Sequence, residues 1–103
     1  MSVMKEIDYN KRLMLRLGFN ATSKGFNYWL VAIQLYNENI NHNYKIEDIY
    51  NEIAFLYDTK RDNVERCMRT SLQPAKEKIK EYFGYDNKIS TKTFLELMKG
   101  VRL

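Results

Sequence analysis

Residues 46–72, IEDIYNEIAFLYDTKRDNVERCMRTSL, decide how this chain folds. Ile46, Ile49, Tyr50, Ile53 and Leu56 recur at steps of three and four, which places them on one face of a helix. Val64, Cys67, Met68, Ser71 and Leu72 repeat the pattern and are expected to be the buried stripe of a second helix. Asp58-Thr59-Lys60 forms the turn between them. Thr59 is placed to cap the second helix, with Asp62 three residues on as an acidic variant of the capping box. Helix, short turn, helix is the layout of a helix-turn-helix, spanning about residues 46–72. In that motif the second helix lies in the DNA major groove with its N-terminal half at the base edges.

What remains outside the buried stripe of the second helix bears on that reading. Asp62, Glu65, Arg66 and Arg69 share one face, flanked by Asn63, Thr70 and Gln73, with Lys60 and Arg61 at its start. The candidate DNA contacts are Lys60, Arg61, Asn63, Glu65, Arg66, Arg69 and Thr70. Arg presents a fork to guanine N7 and O6, Asn can pair bidentately with adenine, and Glu can accept from cytosine N4. The plain alternative is a solvated face with ion pairs four residues apart, Asp62 with Arg66 and Glu65 with Arg69. On the pattern alone the two readings stand level, because helical hairpins are common.

Charge is distributed unevenly along the chain. Residues 44–58 hold one Lys against four acids, whereas residues 60–80 hold seven bases against three acids. The first thirty residues are also net basic, at +3. One edge of the domain therefore points toward a polyanion.

Working outward, Leu13, Met14 and Leu17 mark a helix over about 10–17, with Gly18 as its stop. Residues 1–9 carry few anchors and are expected to be frayed. Asn20-Ala21-Thr22-Ser23 supplies caps for a longer helix bearing Phe26, Trp29, Leu30, Ile33 and Tyr36. Asn37 to Asn43 is expected to be a loop. Pro74 suits the first turn of a fifth helix running to Phe83 and stopping at Gly84. Ser90 or Thr91 caps a last helix with Phe94, Leu95, Met98 and Val101.

With one Pro, four Gly and 45% hydrophobic residues in 103, the chain is expected to be a single all-α domain of about six helices without a wing. A net charge of +4 is compatible with a nucleic-acid partner. The single cysteine, Cys67, excludes an internal disulfide and suits a reducing, cytoplasmic setting. No apolar run approaches the ~20 residues needed to span a bilayer, and the N-terminus lacks the apolar segment of a signal peptide, so no membrane partner is expected.

Four further stretches, taken in order, resemble one family. These are Leu17-Gly18-x-x-Ala21-x-x-Lys24-Gly25-Phe26-x-Tyr28 followed by Ala32-Ile33; Val64-Glu65-Arg66-x-Met68-Arg69; Phe83-Gly84-Tyr85; and Phe94 with a terminal Arg102-Leu103. Together they are similar to the DNA-binding effector domain of the stage-zero sporulation response regulator of spore-forming bacteria, over roughly residues 10–103. The resemblance implies a six-helix fold with a helix-turn-helix. It also implies transcription regulation through double-stranded DNA, with a second copy on tandem sites held in a head-to-tail pair. It makes Glu65, Arg66 and Arg69 groove or phosphate contacts, and Lys24 matches a family lysine.

Three departures modify these implications. No phospho-accepting receiver domain is present in the 103 residues, so binding is expected to escape phosphorylation control. Asn63 stands where the family usually carries Arg, which exchanges a guanine preference for an adenine one at that base. The segment before Phe83-Gly84 is about five residues shorter than in the family. That neighbourhood is associated with the RNA polymerase sigma subunit, so activation by that route is not expected here.

Catalytic and cofactor signals are weak. His42 is the only histidine and falls in a polar loop with no nucleophile placed beside it. Cys67 lies on the buried stripe as a core thiol. The glycines are scattered, so no phosphate-cradling loop exists. Asp58 and Asp62 lack the acidic ladder of a calcium loop. The eight Tyr and five Met belong mainly to core stripes, and no cluster of exposed aromatics offers a platform for single strands. No enzyme activity, cofactor or metal is expected. The competing class of function is an interaction module that keeps the fold and modulates a related regulator without touching DNA.

Overall fold

The computed structural model describes residues 3–39 and 44–99, which form six α-helices with no strand among the described residues. These are α1 (Val3–Arg16), α2 (Lys24–Glu38), α3 (Ile46–Leu56), α4 (Arg61–Leu72), α5 (Lys76–Phe83) and α6 (Thr91–Lys99). A single 3-10 turn, Gln73–Ala75, joins α4 to α5 and holds Pro74 near its start. The expected all-α architecture of about six helices is the architecture observed, with α3 and α4 in helix, short turn, helix order at its centre.

The core is organised around α2. Trp29 and Phe26 are fully buried, packed with Met14 and Leu17 of α1, Ile49 and Ile53 of α3, and Val64, Met68 and Leu72 of α4. Ile79 of α5 and Phe94, Leu95 and Met98 of α6 complete it. Trp29 meets Phe94 edge-on at 5.1 Å, and Phe94 stacks on Phe19 at 5.4 Å. Offset and edge-on rings of this kind add to the burial of their large apolar areas. Phe19 and Ile89 both sit in connections, outside any periodic stripe, yet both are buried.

Three helices end in the same way, with a left-handed residue that lets the chain turn back on the last carbonyls. After α1, Gly18 has φ +94°, and the Phe19 N–H donates to the Met14 carbonyl at 3.1 Å. After α5, Gly84 has φ +61°, and the Tyr85 N–H donates to the Lys80 carbonyl at 2.9 Å. After α3 the residue is Asp58, at φ +52°. The Thr59 N–H reaches the Ala54 carbonyl at 2.9 Å and the Asp58 N–H reaches Phe55 at 3.4 Å. A side chain in that conformation crowds the following carbonyl, so Asp58→Gly should raise stability by about 1 kcal/mol. Denaturant midpoints of the two proteins check this, and an unchanged or lower midpoint for the variant counts against it.

Several boundaries differ from those the pattern suggests. α1 starts at Val3 rather than Asn10, because Tyr9 packs against the core, Asn10 is buried and Asp8 pairs with Arg12 at 2.8 Å. α2 runs on through Asn37 and Glu38, where the Asn39 side chain donates back to the Leu35 carbonyl at 2.8 Å. Pro74 belongs to the 3-10 turn, and α5 begins after it. Ser23 and Ser90 cap as expected, accepting from the Phe26 and Thr93 N–H groups, each at 3.2 Å. His42, Val101, Arg102 and Leu103 lie outside the described residues.

Candidate nucleic-acid interface

The seat of α4 explains which of its side chains are left for a partner. Val64, Met68 and Leu72 are 0–1% exposed and face α2 and α3. The Trp29 Nε1 donates across the core to the Met68 carbonyl at 2.9 Å, fixing α4 along its axis. Beside it the two helices approach until only a glycine fits. A Cβ on Gly25 would lie 2.5 Å from Ser71 Oγ and 2.7 Å from Ser71 Cβ, and closer still to the Cys67 carbonyl. The Lys24-Gly25-Phe26 stretch is thus a packing device: Gly25 admits α4, Phe26 fills the core, and Lys24 stays exposed.

The turn into α4 is braced from the same helix. Tyr57 of the turn meets the buried Tyr28 ring edge-on at 5.0 Å. Burial raises the Tyr28 hydroxyl pKa, with the nearby Cys67 and Tyr57 adding to the shift, so it stays a neutral packing group.

On the other side of α4 lie the candidate contacts. Lys60, Arg61, Arg66, Arg69 and Thr70 are exposed, and Glu65 and Asn63 are half-buried at the edges of the face. Helical spacing puts Arg66 beside Thr70, with Asp62, Arg69 and Gln73 next to them. Arg69 is held by Glu65 at 2.6 Å, the i,i+4 pair that the spacing allows. The companion pair does not form: Asp62 stands 4.0 Å from Arg61, and Arg66 turns instead to the Asn63 Oδ1 at 3.3 Å. Two inward residues, Cys67 and Ser71, are half-buried rather than core, because they line the shallow edge of the α2 contact.

Thr59 is not the cap of α4. That place falls to Lys60, whose carbonyl accepts from Asn63 and Val64 N–H at 3.0 and 3.2 Å. Thr59 is drawn back by its bond to Ala54, and its hydroxyl accepts from the Asn63 side chain at 3.0 Å. The role of Thr59 as a support for Asn63 leaves no trace in spacing, since it depends on the left-handed Asp58 before it. The first turn of α4 is left with no side-chain cap.

The family described as the sporulation initiation factor Spo0A C terminal matches residues 11–99. The chain belongs to this family. The match spans α2 through α6 and the C-terminal part of α1 from residue 11, so the expected resemblance holds over residues 11–99, and Gly25 and the Val64–Arg69 stretch lie within it. No curated protein and no solved structure matches the chain. Membership of the sporulation-factor family supports a DNA-binding effector domain with a regulatory role. No helix among the described residues is long and apolar enough to cross a membrane, and no group of potential metal ligands occurs among them.

Proposed function

We propose that the chain is a sequence-specific, double-stranded DNA-binding transcription regulator whose α4 enters the major groove. The observation that carries this is the division of α4. Its inner face is locked on α2, while its outer face offers Lys60, Arg61, Arg66, Arg69 and Thr70 to solvent. Arg66 and Arg69 read base edges or clamp phosphates, Glu65 orients Arg69, Asn63 borders the same face, and Lys60 and Arg61 meet the backbone. The uncapped first turn of α4 adds N–H groups that suit a phosphate. A second copy occupies an adjacent tandem site.

Duplexes selected from a random library, bound at several salt concentrations, test the proposal. Binding should weaken steeply with salt, as counterions released from phosphates require. Arg66→Ala should lower affinity for the selected duplex by about 1–3 kcal/mol. Equal affinities for the two proteins would remove α4 from the groove.

A second reading, a module that binds protein instead, rests on one observation. Phe55 is 83% exposed and Leu56 58% exposed at the end of the acidic α3. Apolar side chains so bare on a charged helix suit a protein surface. Duplex binding without salt dependence, or none at all, would favour that reading.

A further inference from the structure

Asn63 is held differently from every other residue on the proposed DNA-reading face. Its Nδ2 donates to the Thr59 Oγ1 at 3.0 Å. Its Oδ1 accepts from the Arg66 Nη2 at 3.3 Å and from the Cys67 Sγ at 3.7 Å. The carboxamide is half-buried and ties the turn before α4, the inward edge of α4 and the exposed guanidinium together. An asparagine that reads adenine must present its oxygen and an N–H side by side to N6 and N7. Here the oxygen already serves two donors on the protein, and one of the two N–H bonds is committed to Thr59.

We propose that Asn63 is a positioning residue, which holds the Arg66 guanidinium for base recognition through its Oδ1 and is itself fixed by the Thr59 hydroxyl. The proposal deepens the reading of α4 as the groove helix and rests on it. A long, exposed arginine loses rotamer freedom when it binds, and a tether present in the free protein removes part of that loss beforehand. The planar guanidinium keeps other N–H donors for the base while one is spent on Asn63. Arg69 is held as well, but by the Glu65 carboxylate. The two arginines therefore differ in kind. Salt screens the ionic tether of Arg69, while the neutral tether of Arg66 persists.

A double-mutant cycle on a selected duplex tests this, using Asn63→Ala, Arg66→Ala and the pair at fixed salt. Asn63→Ala should weaken binding about threefold to tenfold, the worth of one oriented hydrogen bond, and should add nothing once Arg66 is Ala. Thr59→Val should reproduce part of the loss and shift preference at the same base pair as Arg66→Ala. Independent, additive losses, or altered preference at a different base pair, would show that Asn63 reads its own base and would overturn the proposal. A readout without DNA is the mobility of the Arg66 Nε–H by nuclear magnetic resonance. It should rise in Asn63→Ala and in Thr59→Val at unchanged melting temperature, and unchanged mobility would refute the tether. Released mobility in a protein that binds no duplex would keep the tether, end its role in recognition and locate the failure in the DNA reading.

Discussion

Met68→Asp should leave the chain without a cooperative melting transition and with most of its helical circular dichroism lost. Met68 has no exposed surface and packs in the core against α2. A carboxylate there would sit in the hydrophobic core, and the Trp29 indole N–H and the Ser71 hydroxyl are already given to the Met68 carbonyl. Burying an unpaired charge costs several kcal/mol, comparable with the total of about 5–15 kcal/mol that holds a domain of this size together. Thr70→Asp is the control, for Thr70 is exposed on the same helix two residues away. It should melt close to the wild type. A folded Met68→Asp protein would mean that α4 turns another face to the core.

Gly25→Ala should destabilise the fold by about 2 kcal/mol even though alanine is the better helix former. In an open helix the change would gain about 1 kcal/mol. Here the added methyl meets the Cys67 carbonyl and the Ser71 side chain, and a helix carbonyl cannot swing aside. Relief requires α2 and α4 to separate, which stretches the Trp29–Met68 hydrogen bond and loosens the packing of Phe26. A loss of that size corresponds to a fall of about 8–16 °C in melting temperature. Ser71→Gly in the same chain should restore only part of it, because the carbonyl contact remains. Calorimetry of the three proteins decides the matter. A Gly25→Ala protein as stable as the wild type would show that the helices sit farther apart.

The parts of this fold that follow from helical period were open to the sequence. α3 begins at Ile46, half-buried against the core, and α4 ends at the buried Leu72, where the apolar stripes begin and end. The same period places Arg66 and Arg69 on the outer face of α4. Contacts between residues distant in the chain were not open. Phe19 and Ile89 enter the core from connections, where no alternation marks them. The need for glycine at position 25 comes from residues 67 and 71, more than forty positions away. Thr59 has the chemistry of a cap, and only the backbone turn at Asp58 redirects it to a side chain. Asn63 reads from sequence as a free recognition group because its bond to Thr59 depends on that same turn.

Trp29 is the single tryptophan of the chain, without exposed surface, and its indole bonds to the backbone of α4. The domain therefore carries a built-in optical reporter at the joint between α2 and the helix assigned to the groove. Its fluorescence responds to the seating of α4 rather than to the solvent face. A ligand that docks on the outer face without moving the helix leaves the emission in place, and one that shifts α4 changes it. The same cuvette can thus tell rigid docking from rearrangement, with no label attached and no residue replaced.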